Sequence, residues 1–218
     1  MMDKKTNKIK ILSPKIPTYI EEVKLDLDLI YEYDGVSNAM VKNSSLENQE
    51  IPKLSFDVVK FENTSFIESV FHDIEITDVI FENCDFSNAD LSRAVMHRVV
   101  FSNCRLTGLN LMEGFYKNVV FKDCKGDYLR MMFSKYKNVI FKNCIFVNGD
   151  FRELGIEDVV FEDCNLKRTE FHNTLLKGID FSTCDIEGIK ACGEDIRGIV
   201  VDSIQLKHLA AILEVVIK

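Results

Sequence analysis

Six cysteines, Cys84, Cys104, Cys124, Cys144, Cys164 and Cys184, stand twenty residues apart and are the first side chains here that could do chemistry, as soft ligands to a metal ion. A zinc site draws on close-spaced cysteine pairs or on cysteine with histidine nearby in sequence, and neither pattern occurs. His72, His97, His172 and His208 fall at unrelated spacings, and no Ser-His-Asp set, paired catalytic acids or Gly-rich phosphate loop emerges. The cysteines fill a slot that Val and Ala share elsewhere, so a buried structural ladder explains them better than a ligand set. Their parallel Cβ directions would strain a disulfide, and seven cysteines is an odd number, so reduced thiols are expected. The sequence predicts no catalysis, no metal and no cofactor.

The chemistry that remains is charge. Thirty-five acidic residues against 27 basic ones give a net charge of −8 over 218 residues, which disfavours nonspecific attraction to nucleic acid or anionic lipid. A partner that itself favours polyanions is the better expectation. Residues 46–115 carry 12 acids and 5 bases, residues 116–148 carry 2 and 7, and residues 149–218 carry 14 and 8. Lys4, Lys5, Lys8 and Lys10 are not followed by an apolar run of signal-peptide length, and no long uncharged apolar stretch occurs anywhere, so a soluble cytoplasmic protein with no membrane association is expected.

The elements that must position these charges follow from a period of five. Fourteen of the sixteen Phe share one phase, and of the 33 positions at every fifth residue from Leu46 to Leu206 only Gly126 is not apolar, counting Tyr and Ala as apolar. Five fits neither the 3.6 of a helix nor the 2 of a strand. Two residues before each centre sit small or β-branched residues such as Thr64, Ala89, Ala94, Thr169 and Thr174, or the Cys and Val series. One large and one small inward residue per five describes a chain that turns a corner every pentapeptide. The twenty-residue spacing of the cysteines, matched by Val59, Val79, Val99, Val119, Val139 and Val159, makes four pentapeptides one coil. Asn83, Asn103, Asp123, Asn143 and Asp163 then stack at a corner, where such side chains satisfy turn backbone.

Asn88-Ala89-Asp90-Leu91-Ser92, Cys84-Asp85-Phe86-Ser87-Asn88 and Thr169-Glu170-Phe171-His172-Asn173 resemble the consensus of the pentapeptide-repeat family. The resemblance covers about three quarters of the chain. It implies an all-β fold, a right-handed quadrilateral parallel β-helix, here closed by a short C-terminal α-helix. Eight coils at ~4.8 Å would give a rod on the order of 40 Å. Three segments are expected: an irregular capping segment over 1–45, the β-helix over 46–202, and a helix and tail over 203–218. Tyr31, Val36 and Val41 weakly begin the repeat ahead of that first boundary. In the last segment Leu206, Leu209, Ala210 and Leu213 recur at helical spacing, with Asp202 or Ser203 available as N-cap, and an apolar tail, Val215, Val216 and Ile217, follows.

The runs Cys124-Lys125-Gly126-Asp127-Tyr128 and Thr174-Leu175-Leu176-Lys177-Gly178-Ile179-Asp180-Phe181-Ser182, with the ending through Gln205, Leu209 and Ile217, look like Qnr-type quinolone-resistance proteins of Gram-positive bacteria. That resemblance implies a homodimer joined tail to tail through Leu206, Leu209, Ala210, Leu213, Val215 and Ile217. It also implies binding to gyrase or topoisomerase IV as a mimic of duplex DNA, with no direct contact to nucleic acid. If the helix is the seam, the acids nearest it become continuous across the two-fold: Asp150, Glu153, Glu157, Asp158, Glu162, Asp163, Asp180, Asp185 and Glu187. Against this, any soluble solenoid carries charge outward, and Lys117, Lys122, Lys137 and Lys142 form a basic patch in mid-chain. The register also lacks the inserted loops through which some Qnr proteins protect their target. A second reading is a β-helical scaffold or protein-interaction rod using the outward stripe Ile80, Val100, Val120, Ile140, Val160 and Val200. That stripe equally suits strand preference, or cover by Ile11, Leu12, Ile16 and Ile20.

Overall fold

The computed structural model describes residues 9–215. Its elements are β1 (Glu21–Val23), α1 (Leu27–Tyr33), β2 (Gly35–Lys42), β3 (Ser55–Glu62), β4 (Glu75–Glu82), β5 (Val95–Ser102), β6 (Phe115–Lys122), β7 (Lys135–Lys142), β8 (Gly155–Glu162) and α2 (Leu206–Ile212). The eight strands pair in parallel in chain order, and β2 through β8 stack in strict twenty-residue register, Val79 on Val99 and Phe81 on Phe101 for example. The chain is a right-handed quadrilateral β-helix.

The corners have one cause. From Asn38 to Asn173 every fifth residue lies in the left-handed region, and Gly108 is the only glycine among them. Asn and Asp tolerate that backbone better than other non-glycine residues, which explains why they crowd these positions. Each strand bends at its own corner, where Asp78, Arg98, Asn118, Asn138 and Asp158 have φ of 54° to 56°. The asparagine ladder foreseen from sequence is present: Asn103 Nδ2 donates to Asn83 Oδ1 at 2.7 Å, and Asn143 Nδ2 to Asp123 Oδ1 at 2.6 Å.

Inside the tube the phase of five becomes columns. Phe61, Phe81, Phe101, Phe121, Phe141 and Phe161 stack with ring centroids 4.8–5.2 Å apart and planes within 19° of parallel, the spacing of the coils themselves. Burying each ring contributes about 1.5–3 kcal/mol. The small inward slot has a polar duty as well. Cys104 and Cys144 donate their thiols to Phe81 O (3.5 Å) and Phe121 O (3.4 Å) twenty-three residues back, and Thr169 and Thr174 donate hydroxyls to Phe146 O and Phe151 O in the same relation. All six ladder cysteines are buried free thiols. Hydrogen bonding to the neighbouring thiols and burial together push Cys104 and Cys144 far above the usual thiol range.

The coil register starts earlier than the 45/46 boundary expected from sequence. β2 already pairs with β3 from Gly35 to Lys42, and Ile30 of α1 is buried against the core. Asp26 caps α1 by accepting from Asp28 N, and Asp34 closes it in the left-handed conformation, donating its N–H to Ile30 O. Ahead of β1, residues 9–20 form an extended strap along the outside: Leu12 N donates to Asn118 Oδ1 (3.3 Å) and Lys15 N to Asp78 Oδ1 (2.8 Å). Two coils rise about 10 Å, which three extended residues also span at about 10 Å, so the strap runs along the rod axis. Its anchors lie on the corner row, not on the apolar stripe of Ile80 to Val160, whose members stack on one another half-buried.

At the other end α2 is shorter than the expected helix. Asp202 accepts from Ile204 N and Gln205 N, both at 2.7 Å, and so organises the turn before the helix; the side chain at the cap position, Gln205, makes no capping bond. Gln205 instead plugs the tube, its amide donating to Phe181 O (2.8 Å) and Cys184 O (2.5 Å). No described helix is long and apolar enough to cross a membrane.

Candidate partner-binding surface

The nine acids expected to contact a partner do not form one stripe. Asp150 and Glu153 belong to one side of the coil, Glu157 and Asp158 to the next, Glu162, Asp163 and Asp180 to the third, and Asp185 and Glu187 to the fourth. Parallel stacking puts each outward side chain beside the residues twenty before and after it, so the ladder neighbours decide what charge reaches solvent. Glu157 meets Lys137 Nζ at 2.5 Å, Glu162 meets Lys142 Nζ at 2.7 Å, and Lys167 Nζ bridges Asp185 (3.1 Å) and Glu187 (2.8 Å). Asp150 pairs within its own side with Arg152, at 2.7 Å. The hydrogen bond from Lys167 holds the Glu187 carboxyl below its usual range, and that from Glu162 raises Lys142.

Five of the nine are therefore neutralised, and the i, i+20 pairing that does it was readable in the sequence once the coil length was known. Glu153, Asp158, Asp163 and Asp180 remain exposed with no cation partner among the described residues. The first three stand at three successive corners of one coil, each with φ of 54°. Lys117 and Lys122 of the mid-chain patch do not share this pairing: Lys122 reaches only Asp123, at 3.8 Å, and Lys117 has no carboxylate partner among the described residues.

The six residues expected at a dimer seam divide. Leu206 (60% exposed), Leu213 (53%) and Val215 (56%) face solvent, whereas Leu209 is buried at 5% and Ala210 half-buried. Leu209 is thus a correction: with Gln205 and Ile212 it closes the end of the tube, because a helix placed over the last coil must spend one face on it. Ile204 (68%), adjacent to the helix start, joins the exposed apolar group instead. Ile217 lies outside the described residues.

Neither a ligand set nor an enclosed site accompanies these surfaces. No group of three or more His, Cys, Asp or Glu among the described residues could hold a metal ion. An open hollow of about 550 Å³ lies where the strap meets Lys117, Asn118 and Asn138. It is lined mainly by the strap's own Ile9, Lys10 and Leu12, and Asp158 closes one side.

A family model for the pentapeptide repeat region matches residues 54–131 and 134–210. No curated protein matches the sequence. Among solved structures, full-length QnrB1, a plasmid-mediated fluoroquinolone resistance protein, is 16% identical with a TM-score of 0.45, covering 80% of this chain and 98% of its own. HetL of Nostoc sp. strain PCC 7120, a pentapeptide repeat protein involved in heterocyst differentiation regulation, is 10% identical with a TM-score of 0.35, covering 84% of this chain and 98% of its own. The A-module of the mannuronan C-5 epimerase AlgE4 of Azotobacter vinelandii is 11% identical with a TM-score of 0.35, over 76% of this chain and 62% of its own.

Proposed function

The chain belongs to the pentapeptide-repeat family, and from that premise we propose that it binds a type II topoisomerase, gyrase or topoisomerase IV, in the cytoplasm as a mimic of duplex DNA. No bond is made or broken. The observation that carries the reading is the set of exposed, unpaired carboxylates, Glu153, Asp158 and Asp163, on three successive corners of one of the last coils, with Asp180 one coil further on. Beyond them lie the exposed apolar side chains Ile204, Leu206, Leu213 and Val215. Two copies joined there would set both groups of acids on one continuous rod, spaced for a surface built to hold phosphates. Attraction of that kind steers association and weakens with salt. Occupying the DNA-binding saddle would leave fewer DNA complexes for quinolones to trap.

The test is gyrase supercoiling and quinolone-induced cleavage with purified protein. Wild-type chain is expected to inhibit supercoiling at micromolar concentration and to lower drug-induced cleavage. Glu153→Lys/Asp158→Lys/Asp163→Lys is expected to weaken this at least tenfold. Glu157→Lys/Glu162→Lys, which alters carboxylates already paired, is expected to change it less. A folded dimer without effect at micromolar concentration would leave the second reading, a scaffold or protein-interaction rod. That reading is favoured by the ladders that neutralise the other five acids.

A further inference from the structure

Of the sixteen phenylalanines, the two outside the five-residue phase are Phe115 and Phe133, and these are also the two that solvent reaches, at 40% and 45% exposure. Phe133 occupies a corner with φ of 62°. The rest of its column, Lys53, Asp73, Arg93, Glu113, Glu153 and Asn173, is polar. A bulky aromatic residue in the left-handed region is strained, and an exposed one recovers little of that strain through burial. The fold alone would place Asn here.

The surroundings continue the anomaly. Met132 precedes Phe133, and Met112 lies one coil back, joined through Glu113 N to Met132 O (3.1 Å); both methionines are half-buried. Around the corner, Phe115 stacks in register with Val95, itself 47% exposed. Aromatic residues, methionine and arginine grouped on one exposed patch are the composition that protein interfaces favour at their centres. Its rim is basic. Lys135 is the register partner of Phe115, and Lys117 and Arg130 flank the two sides. None of these three has a carboxylate within ion-pair distance among the described residues, although Lys137 and Arg152 beside them do.

We propose that this mid-rod corner is a docking site for an acidic, apolar-rich segment of another protein. Charge complementarity selects the occupant: three unneutralised cations frame an apolar centre, so carboxylates beside large apolar side chains satisfy both. A second copy set corner to corner would instead oppose like charges. The site is separate from the carboxylates of the last coils and does not depend on the topoisomerase reading.

The probe is a synthetic 14-residue peptide of equal Glu/Asp and Leu/Phe content, with two controls: the same peptide with Lys for every acid, and an all-Glu peptide. Each is titrated into the full chain carrying ¹³C at the methionine methyls. The acidic apolar peptide is expected to shift Met112 and Met132 selectively. Its affinity is expected to exceed those of both controls at least tenfold, and to fall tenfold or more in Phe133→Asn and in Lys135→Glu. Phe133→Asn is expected to keep or raise the melting temperature, because Asn suits the corner better. The proposal is overturned by any of three results: no shift at the two methionines, equal binding of the lysine peptide, or undiminished binding by Phe133→Asn. A lower melting temperature of that variant would make Phe133 structural, and a lower mass in light scattering would make the occupant a second copy; either outcome also overturns it.

Discussion

Asp78 and Arg98 are consecutive members of one corner column and meet through two bonds, Nε to Oδ1 at 2.5 Å and Nη2 to Oδ2 at 2.6 Å, with side chains only 8% and 14% exposed. The Arg98 guanidinium, against the opposing effect of burial and with help from the Lys15 N–H, holds the Asp78 carboxyl below its usual range. A folded value below the unfolded value of about 4 means that the pair's stabilisation is fully present above that value and is lost as pH falls through the folded one. Asp78→Asn keeps an acceptor for Lys15 but leaves Arg98 half-enclosed without its counter-charge. A loss on the order of 3 kcal/mol at pH 7 is expected. Urea unfolding of both proteins across pH should show the gap constant near neutrality and narrowing below about pH 4. A gap that persists unchanged into strong acid would mean that the loss at neutral pH is not electrostatic.

α2 shows how one short helix divides its apolar residues between two tasks. Leu209 is committed to the tube end with Gln205, whereas Leu206 and Leu213 point away from it. Charging the inner and outer leucines should therefore give different results. Leu213→Asp is expected to convert a dimer to monomer in light scattering while circular dichroism and melting temperature stay close to wild type. Leu209→Asp places a charge in the capping contact and is expected to lower stability by about 2–5 kcal/mol, as for other core leucine losses, before any effect on assembly can be read. A dimer that survives Leu213→Asp together with Leu206→Asp would put the seam elsewhere on the rod. The sequence pattern grouped Leu206, Leu209, Ala210 and Leu213 on one face because spacing reports a shared stripe and not which neighbour meets it. The strap was equally hidden, since backbone N–H groups of Leu12 and Lys15 bind it to side chains 106 and 63 residues away, with no side-chain pattern of its own.

The rod as a whole is quasi-one-dimensional, and that governs both its legibility and its unfolding. The Phe, Cys and Val columns could be read because every coil repeats the same inward demand; the coil at Gly35 was faint because Val36 and Val41 meet that demand without any Phe. Outward residues carry no such constraint, so the free acids and the Phe133 corner emerge only when each column is read against its neighbours twenty residues away. In a solenoid, stability is a sum of coil terms and nearest-neighbour interface terms. Phe121 sits in mid-column between Phe101 and Phe141, at 4.9 and 5.0 Å, whereas Phe181 has one column neighbour, Phe161, at 5.4 Å and a tilt of 33°. Phe121→Ala breaks two stacking contacts and opens a cavity in an interior coil. It is expected to cost about 3–5 kcal/mol, and to divide the urea transition into two steps, because the coils on either side lose the interface that couples them. Phe181→Ala, at the column's end, should cost less and preserve a single transition for the body of the rod. Equal losses with one unbroken transition in both variants would show that cooperativity spans the tube through its hydrogen-bonded faces and does not depend on the aromatic column.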